Sequence, residues 1–169
     1  MLAGAAAVFA AVVLVYLPTL RGGVVYDSFM QIAHTDFVHD RSNWSDVLTL
    51  QVLGRDVLDR NRPLLLASLM ADAGLWGREP FGYRLTSVLL HALNAAVLFL
   101  VVATALRRDG PRWFWLVGGA FGALFFALHP LVVEAVAEPS NREDLLVLLP
   151  LLAGLLLVQR LGAGGCRAR

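Results

Sequence analysis

The sequence has no lysine; all fourteen of its basic residues are arginine. It has a single cysteine, Cys166, so no disulfide can close within the chain. Charge of either sign is scarce, at 16% of residues, where a soluble domain carries about 25%. The formal net charge is +1, which excludes the basic face that nucleic-acid binding needs. Sequence signatures of familiar chemistry are missing as well. There is no G-x-x-x-x-G-K-S/T or G-x-G-x-x-G loop, no G-x-S-x-G elbow, and no H-E-x-x-H or cysteine pair for zinc. No metal site and no cofactor are expected from these residues, although a divalent ion would not conflict with them.

Apolar residues fill the space that charge leaves. They make up 58% of the 169 residues, and the mean hydropathy is +0.67. The chain therefore reads as an all-α integral membrane protein, one membrane domain over 1–169 with about four transmembrane helices. The first span, 2–20, is long enough to cross about 30 Å of hydrocarbon at about 1.5 Å per residue. No arginine precedes it, so it reads as a retained helix rather than a cleaved signal peptide. The second span covers 81–106 and ends at "RRDGPR". The third, 113–128, opens with Trp113 and Trp115, residue types that favour the headgroup boundary. The fourth, 145–158, is short and contains Pro150, and makes a thin crossing.

Arginine placement orients these spans. The 107–112 connection holds three Arg and one Asp, and the tail holds Arg160, Arg167 and Arg169 without an acid. Both belong on the cytoplasmic side, with the N-terminus. The 21–80 loop has six Arg against eight acids, and the 129–144 turn one Arg against four, so both fall outside the cytoplasm. Within the loop, "SNWSDVLTLQVLG" offers Ser42, Asn43 or Ser45 as the N-cap of an amphipathic helix that stops at Gly54. "RPLLLASLMADAGLWG" starts with Pro63 in a first turn and has Asp72 as its only charge. It predicts a juxtamembrane helix lying on the membrane face or packed on the bundle.

Several polar residues call for an explanation. In span two, Arg84, Ser87, His91 and Asn94 recur at spacings of three, four and three, which places them on one helical face. They either wall a cavity or hydrogen-bond to neighbouring helices. "GGAFGA" in span three lets helix backbones approach closely. The stretch "HPLVVEAVAEPSNRED" holds more charge than a turn needs. Ser140 or Asn141 can cap the helix that follows, with Glu143 and Asp144 near its positive dipole end. That leaves His129, Glu134 and Arg142 unaccounted for.

Taken together, "VVYDS", "NRPLLLASLMADAGLWGREPFGYRLTSVLLHALNAAVL" and "LFFALHPLVVEAVAEPSNREDLLVLLPLLAGLLL" resemble the N-terminal membrane region of one family. It comprises the transmembrane and tetratricopeptide-repeat proteins, protein O-mannosyltransferase-like, and their bacterial relatives. The resemblance covers nearly the whole chain in order. It implies a partial GT-C-like bundle and a glycosyltransferase that moves a sugar from a polyprenyl-phosphate donor to a hydroxyl acceptor outside the cytoplasm, here in a bacterial inner membrane. By the same resemblance Asp27 is the catalytic loop acid. Arg62, His91, His129, Glu134, Arg142 and Asp144 hold the donor phosphate or shape the site. Ser28 stands where family members often have a second acid. Relatives of this kind have further crossings and helical repeats, so the chain is expected to be incomplete relative to the family. Its partners would be the lipid bilayer, the lipid-linked sugar and the missing C-terminal membrane and repeat region. The alternative is a non-catalytic assembly module, or a truncated inactive fragment of such an enzyme.

Overall fold

The computed structural model describes residues 1–22, 28–107 and 110–165. Among the described residues there is no strand. The α-helices of the described residues run in order: α1 (Leu2–Tyr16), α2 (Trp44–Leu48), α3 (Pro63–Trp76), α4 (Pro80–Leu106), α5 (Arg112–Ala127), α6 (Val133–Ala137) and α7 (Glu143–Gly165). Short 3-10 turns and a π-helix, Phe29–His34, link them. The chain gathers into two compact units. One comprises Met1–Tyr16, Leu89–Val133 and Val147–Arg169; the other comprises Leu17–Val88 and Glu134–Leu146.

Among the described residues, three helical stretches are long and apolar enough to cross a membrane: Leu2–Arg21, Pro80–Leu106 and Pro139–Gly162. A fourth crossing is complete if Arg112–Ala127 and Pro130–Ala137 count as one broken span. Only 11% of the Pro139–Gly162 apolar window is buried within the protein, and Phe121 and Val158 are 70% and 65% exposed. Apolar helix surface on this scale finds its partner in lipid. The chain is an integral membrane protein.

Two local expectations differ from what the structure shows. The last span is not thin. Helix α7 runs for 23 residues straight through Pro150, about 35 Å at about 1.5 Å per residue. Gln159 and Arg160 are good helix formers, so they extend the helix where polarity alone would end it. The amphipathic helix expected up to Gly54 is a single turn, α2, preceded by Asn43, whose side chain bonds the Phe37 carbonyl instead of capping it. It gives way at Leu50, whose φ of 62° is left-handed, to a 3-10 turn, Gln51–Gly54. Val47 and Val52 both stay buried across that break, so tertiary burial outweighs helix continuity. Helix α3 matches its expectation, with Pro63 in the first turn and a stop at Gly77, where φ is +60°.

In the first unit, α1 packs on α5. Small residues permit the close approach: Ala92, Ala95 and Ala103 on α4, and Gly119, Ala123 and Ala127 on α5, are all buried. A Cβ built on Gly119 would lie 3.1 Å from the Ala103 Cβ and from the Phe99 ring, so glycine fits this contact best. The carbonyl of Ala127, at the C-terminal end of α5 where no intrahelical partner remains, accepts from Tyr16 Oη at 2.9 Å and faces His91 Nε2 at 3.0 Å. A carbonyl only accepts, so Nε2 carries the imidazole proton. One peptide oxygen thus joins α1, α4 and α5. Replacing Tyr16 with Phe is expected to cost about 1 kcal/mol, read as a lower midpoint in detergent unfolding with the helix content unchanged.

Candidate functional site

The candidate site lies in the unit formed by Leu17–Val88 and Glu134–Leu146. Its apolar base is the cluster of Ile32, Val38, Val47, Val52, Leu65 and Leu69, with Met70 and Tyr83 beside them. The polar groups above it form three linked sets.

Arg142 is the centre of the first set and is fully buried. Its Nε donates to Ser87 Oγ at 3.0 Å, Nη2 to the Tyr83 carbonyl at 2.6 Å, and Nη1 to Ser68 Oγ at 3.3 Å. Nη1 also stands 2.6 Å from Asp72 Oδ2, a contact held by charge rather than by hydrogen-bond alignment. The other Asp72 oxygen accepts from Thr86 Oγ1 at 2.7 Å. Burial pushes the Asp72 carboxyl above its ordinary value, against the pull of the Arg142 charge and of the Thr86 hydroxyl. A carboxyl raised in this way holds its proton more tightly folded than unfolded. Its contribution to stability is therefore present at low pH and falls as pH rises through the folded value. The pair selects one arrangement of α3, α4 and the start of α7 more than it stabilises the fold.

The second set joins residues more than a hundred positions apart. Ser28 is fully buried. Its amide donates to Glu138 Oε1 at 3.2 Å, and its hydroxyl accepts from the Ser140 amide at 3.0 Å. Ser140 Oγ lies 3.4 Å from the same Glu138 oxygen. Ser28 also opens the π-helix Phe29–His34, a rare element that occurs mostly at functional positions.

The third set is open to solvent. Buried Gln31 on the π-helix donates to Asp59, and Asp59 accepts from Arg62 Nη1 at 3.1 Å. The same Arg62 nitrogen reaches Glu143 at 2.9 Å, while the Arg62 side chain is 46% exposed. Both contacts use one nitrogen of the fork; its other nitrogens have no hydrogen-bond partner among the described residues. Loop 56–62, where Asp59 takes a left-handed φ of 56°, bounds an open cleft of about 440 Å³.

The site residues expected from the sequence are distributed as follows. Asp27 lies outside the described residues; its chain neighbour Ser28 is described. Arg62, Glu134, Arg142 and Asp144 fall in this unit, and His91 and His129 in the other. Arg62 reaches the head of α7, where Asp144 is exposed in the first turn. Glu134 is exposed and accepts from Asn141 at 3.1 Å. His129 accepts the Leu131 amide at 3.3 Å and caps the Pro130–Val132 turn. Of the two readings of His91, an inter-helix hydrogen bond is the one its geometry fits. Asp72 and Glu138 are the site residues that sequence reasoning missed. Asp72 had a signal, as the lone charge on an apolar helix. Among the described residues, no group of three or more His, Cys, Asp or Glu side chains is placed to hold a metal ion.

These features define an all-α membrane protein with a polar site built from two segments distant in sequence. Comparison with known proteins places it further. Protein O-mannosyl-transferase Tmtc1 of Drosophila melanogaster is 34% identical over 149 residues, covering 85% of this chain and 16% of the fly protein. Mouse Protein O-mannosyl-transferase TMTC1 is 32% identical over 173 residues, covering 97% of this chain and 18% of that protein. Mouse TMTC2 is 31% identical over 134 residues, 76% of this chain and 15% of that protein. The chain belongs to the transmembrane and tetratricopeptide-repeat, protein O-mannosyltransferase-like family. It spans less than a fifth of the length of these relatives. No protein-family model matches it, and no solved structure does.

The buried pair yields a stability test. Asp72→Leu strands the Arg142 charge and is expected to cost about 3–5 kcal/mol, measured as loss of folded protein in detergent. The double variant Asp72→Leu, Arg142→Met is expected to recover most of that loss. A double variant no better than the single would show that the charges themselves are required.

Proposed function

We propose that this chain forms the donor-side module of a GT-C-type membrane glycosyltransferase, which moves a sugar from a polyprenyl phosphate to a hydroxyl on the extracytoplasmic side. Mannose is the sugar that the relatives' names favour. The observation that carries this reading is the tie from Ser28, next in the chain to Asp27, through Gln31 and Asp59 to half-exposed Arg62. In the reaction the acceptor oxygen forms a bond to the anomeric carbon as the carbon–oxygen bond to the lipid phosphate breaks. Asp27 takes the hydroxyl proton, as a single positioned carboxylate can. The phosphate leaves with the bonding pair, and Arg62 holds its growing charge with a planar fork that suits phosphate oxygens. Arg142 shapes the site from beneath, since protein groups already occupy its donors. Asp144, Glu134 and Asn141 line the same end of α7. His129 orders the turn that leads to them, and His91 secures helix packing. No step requires a metal, and none forbids one.

The chain acts as one membrane module with its N-terminus in the cytoplasm and loops 21–80 and 129–144 outside. Its partners are the bilayer, the lipid-linked sugar and the remaining part of a protein of its relatives' length. The bacterial inner membrane is the proposed location. One observation favours a second, non-catalytic reading: the densest polar network, around Arg142 and Asp72, is wholly internal, as a packing or assembly module would have it.

Transfer of radiolabelled mannose from a polyprenyl phosphate in nanodiscs separates the two. Asp27→Asn is expected to lower transfer at least about a thousandfold with insertion unchanged. That loss is about 4 kcal/mol of transition-state stabilisation. Arg62→Ala is expected to raise the donor KM and lower kcat together, and Arg62→Lys to restore only part of both. Full activity in Asp27→Asn would leave the assembly reading standing.

A further inference from the structure

The serine beside the loop acid would ordinarily count as a loss, because relatives in the resemblance often have a second acid there. Its surroundings point elsewhere. Ser28 is fully buried, and both of its polar contacts go to one short segment: amide to Glu138, hydroxyl from the Ser140 amide. Glu138 is 8% exposed. Among the described residues no Arg, His or N-terminal amine lies within ion-pairing distance of it, so its buried oxygen is served by the Ser28 amide and the Ser140 hydroxyl. A buried carboxylate without a cation is costly. The one hydrogen bond it accepts from backbone among the described residues comes from the Ser28 amide. Pro139, buried between the two clamp residues, fixes the backbone that presents them. The clamp therefore grips the main chain at residue 28, one peptide bond from Asp27, and sets the start of the π-helix that carries Gln31.

We infer that Glu138 is a positioning residue for this site, and that Ser28 is its required partner and not a vestige of a second acid. A carboxylate at position 28 would bring a second buried anion to the residue whose own amide already serves the Glu138 oxygen. Two carboxylates so placed cannot both ionise comfortably. This inference rests on Asp27 as the base, because what the clamp aligns is the main chain leading out of that residue. Misplacement of a reacting group by about 1 Å costs up to about a hundredfold in rate.

Kinetics in nanodiscs with the polyprenyl-phosphate mannose donor test it, alongside amide exchange at Ser28. Glu138→Ala is expected to lower kcat by about 10- to 100-fold with donor KM within about twofold. Loss of the charged acceptor should speed Ser28 amide exchange by about tenfold or more. Glu138→Gln, whose amide oxygen still accepts, should recover most of kcat. Ser28→Asp should lower kcat; a gain would show that position 28 wants an acid and would overturn the inference. If Glu138→Ala does not fold, Ser28→Ala carries the test, with kcat expected to fall and donor KM to hold. Unchanged kcat in Glu138→Ala, or in Ser28→Ala where that variant stands in, overturns the inference while leaving Asp27 as base, provided Asp27→Asn is inactive. Full activity in Asp27→Asn overturns both.

Discussion

The buried contact between Arg142 and Asp72 organises the site-bearing unit. It ties α3 to the segment that opens α7, and through Ser87 and the Tyr83 carbonyl it ties both to the first turns of α4. A guanidinium and a carboxylate withdrawn from water give little net stability, because desolvation consumes most of their attraction. They enforce uniqueness instead, since any slip of α3 against α4 leaves a buried charge without its partner. Arg142 sits two residues after Ser140, so the contact that fixes it also fixes the chain that grips Ser28. A rigid base of this kind allows a half-exposed arginine such as Arg62 to be held in place by a single nitrogen.

The first unit is held by different means. Its helices meet through alanine and glycine, where dispersion and close backbone approach do the work. One polar contact there is a shared carbonyl at Ala127, which takes up donors from Tyr16 and His91 at a helix end that would otherwise leave an acceptor unsatisfied. Phe99 fills the space beside the glycines; a Cβ on Gly4 would come within 2.5 Å of its ring. Packing by small residues suits helices that must sit in lipid, because the bilayer offers no hydrophobic drive to bring them together.

Much of this was legible in the sequence, because the physics involved is local or compositional. The apolar spans follow from hydropathy. The helix 63–76 follows from its proline start, and the first-turn acids of α7 follow from the dipole rule; Ser140 and Asn141, expected to cap that helix, lie in the turn before it and direct their side chains to Glu138 and Glu134 instead. The close-approach glycines of α5 were readable from their spacing. Two things were hidden. The extension of α7 beyond Val158 depends on helix formers after the apolar run, and a hydropathy window penalises those same residues. The partnership of Asp72 with Arg142, and of Ser28 with Glu138, joins positions 70 and 110 residues apart. No spacing rule along one element reaches across that gap. Asp72 alone could have been suspected, because a single carboxylate on an otherwise apolar helix demands a cation from elsewhere.

That demand also bears on how the arginines divide their work. The family resemblance leaves Arg62 and Arg142 as equal claimants for a phosphate. Burial separates them. For Arg142 to take up a phosphate, it would have to abandon Asp72, Ser87 and the Tyr83 carbonyl. The carboxylate would then remain buried and unpaired, a loss of several kcal/mol that a lipid phosphate reaching a fully enclosed side chain would have to offset. Arg62 faces no such exchange. Its acids, Asp59 and Glu143, are partly exposed, with side chains 17% and 24% accessible, and Asp59 keeps the Gln31 amide as a second partner. On the proposed reading, an incoming phosphate would meet a half-exposed fork whose other nitrogens have no hydrogen-bond partner among the described residues. Electrostatic holding of a leaving group works best from donors that need not reorganise, and of the two arginines only Arg62 meets that condition.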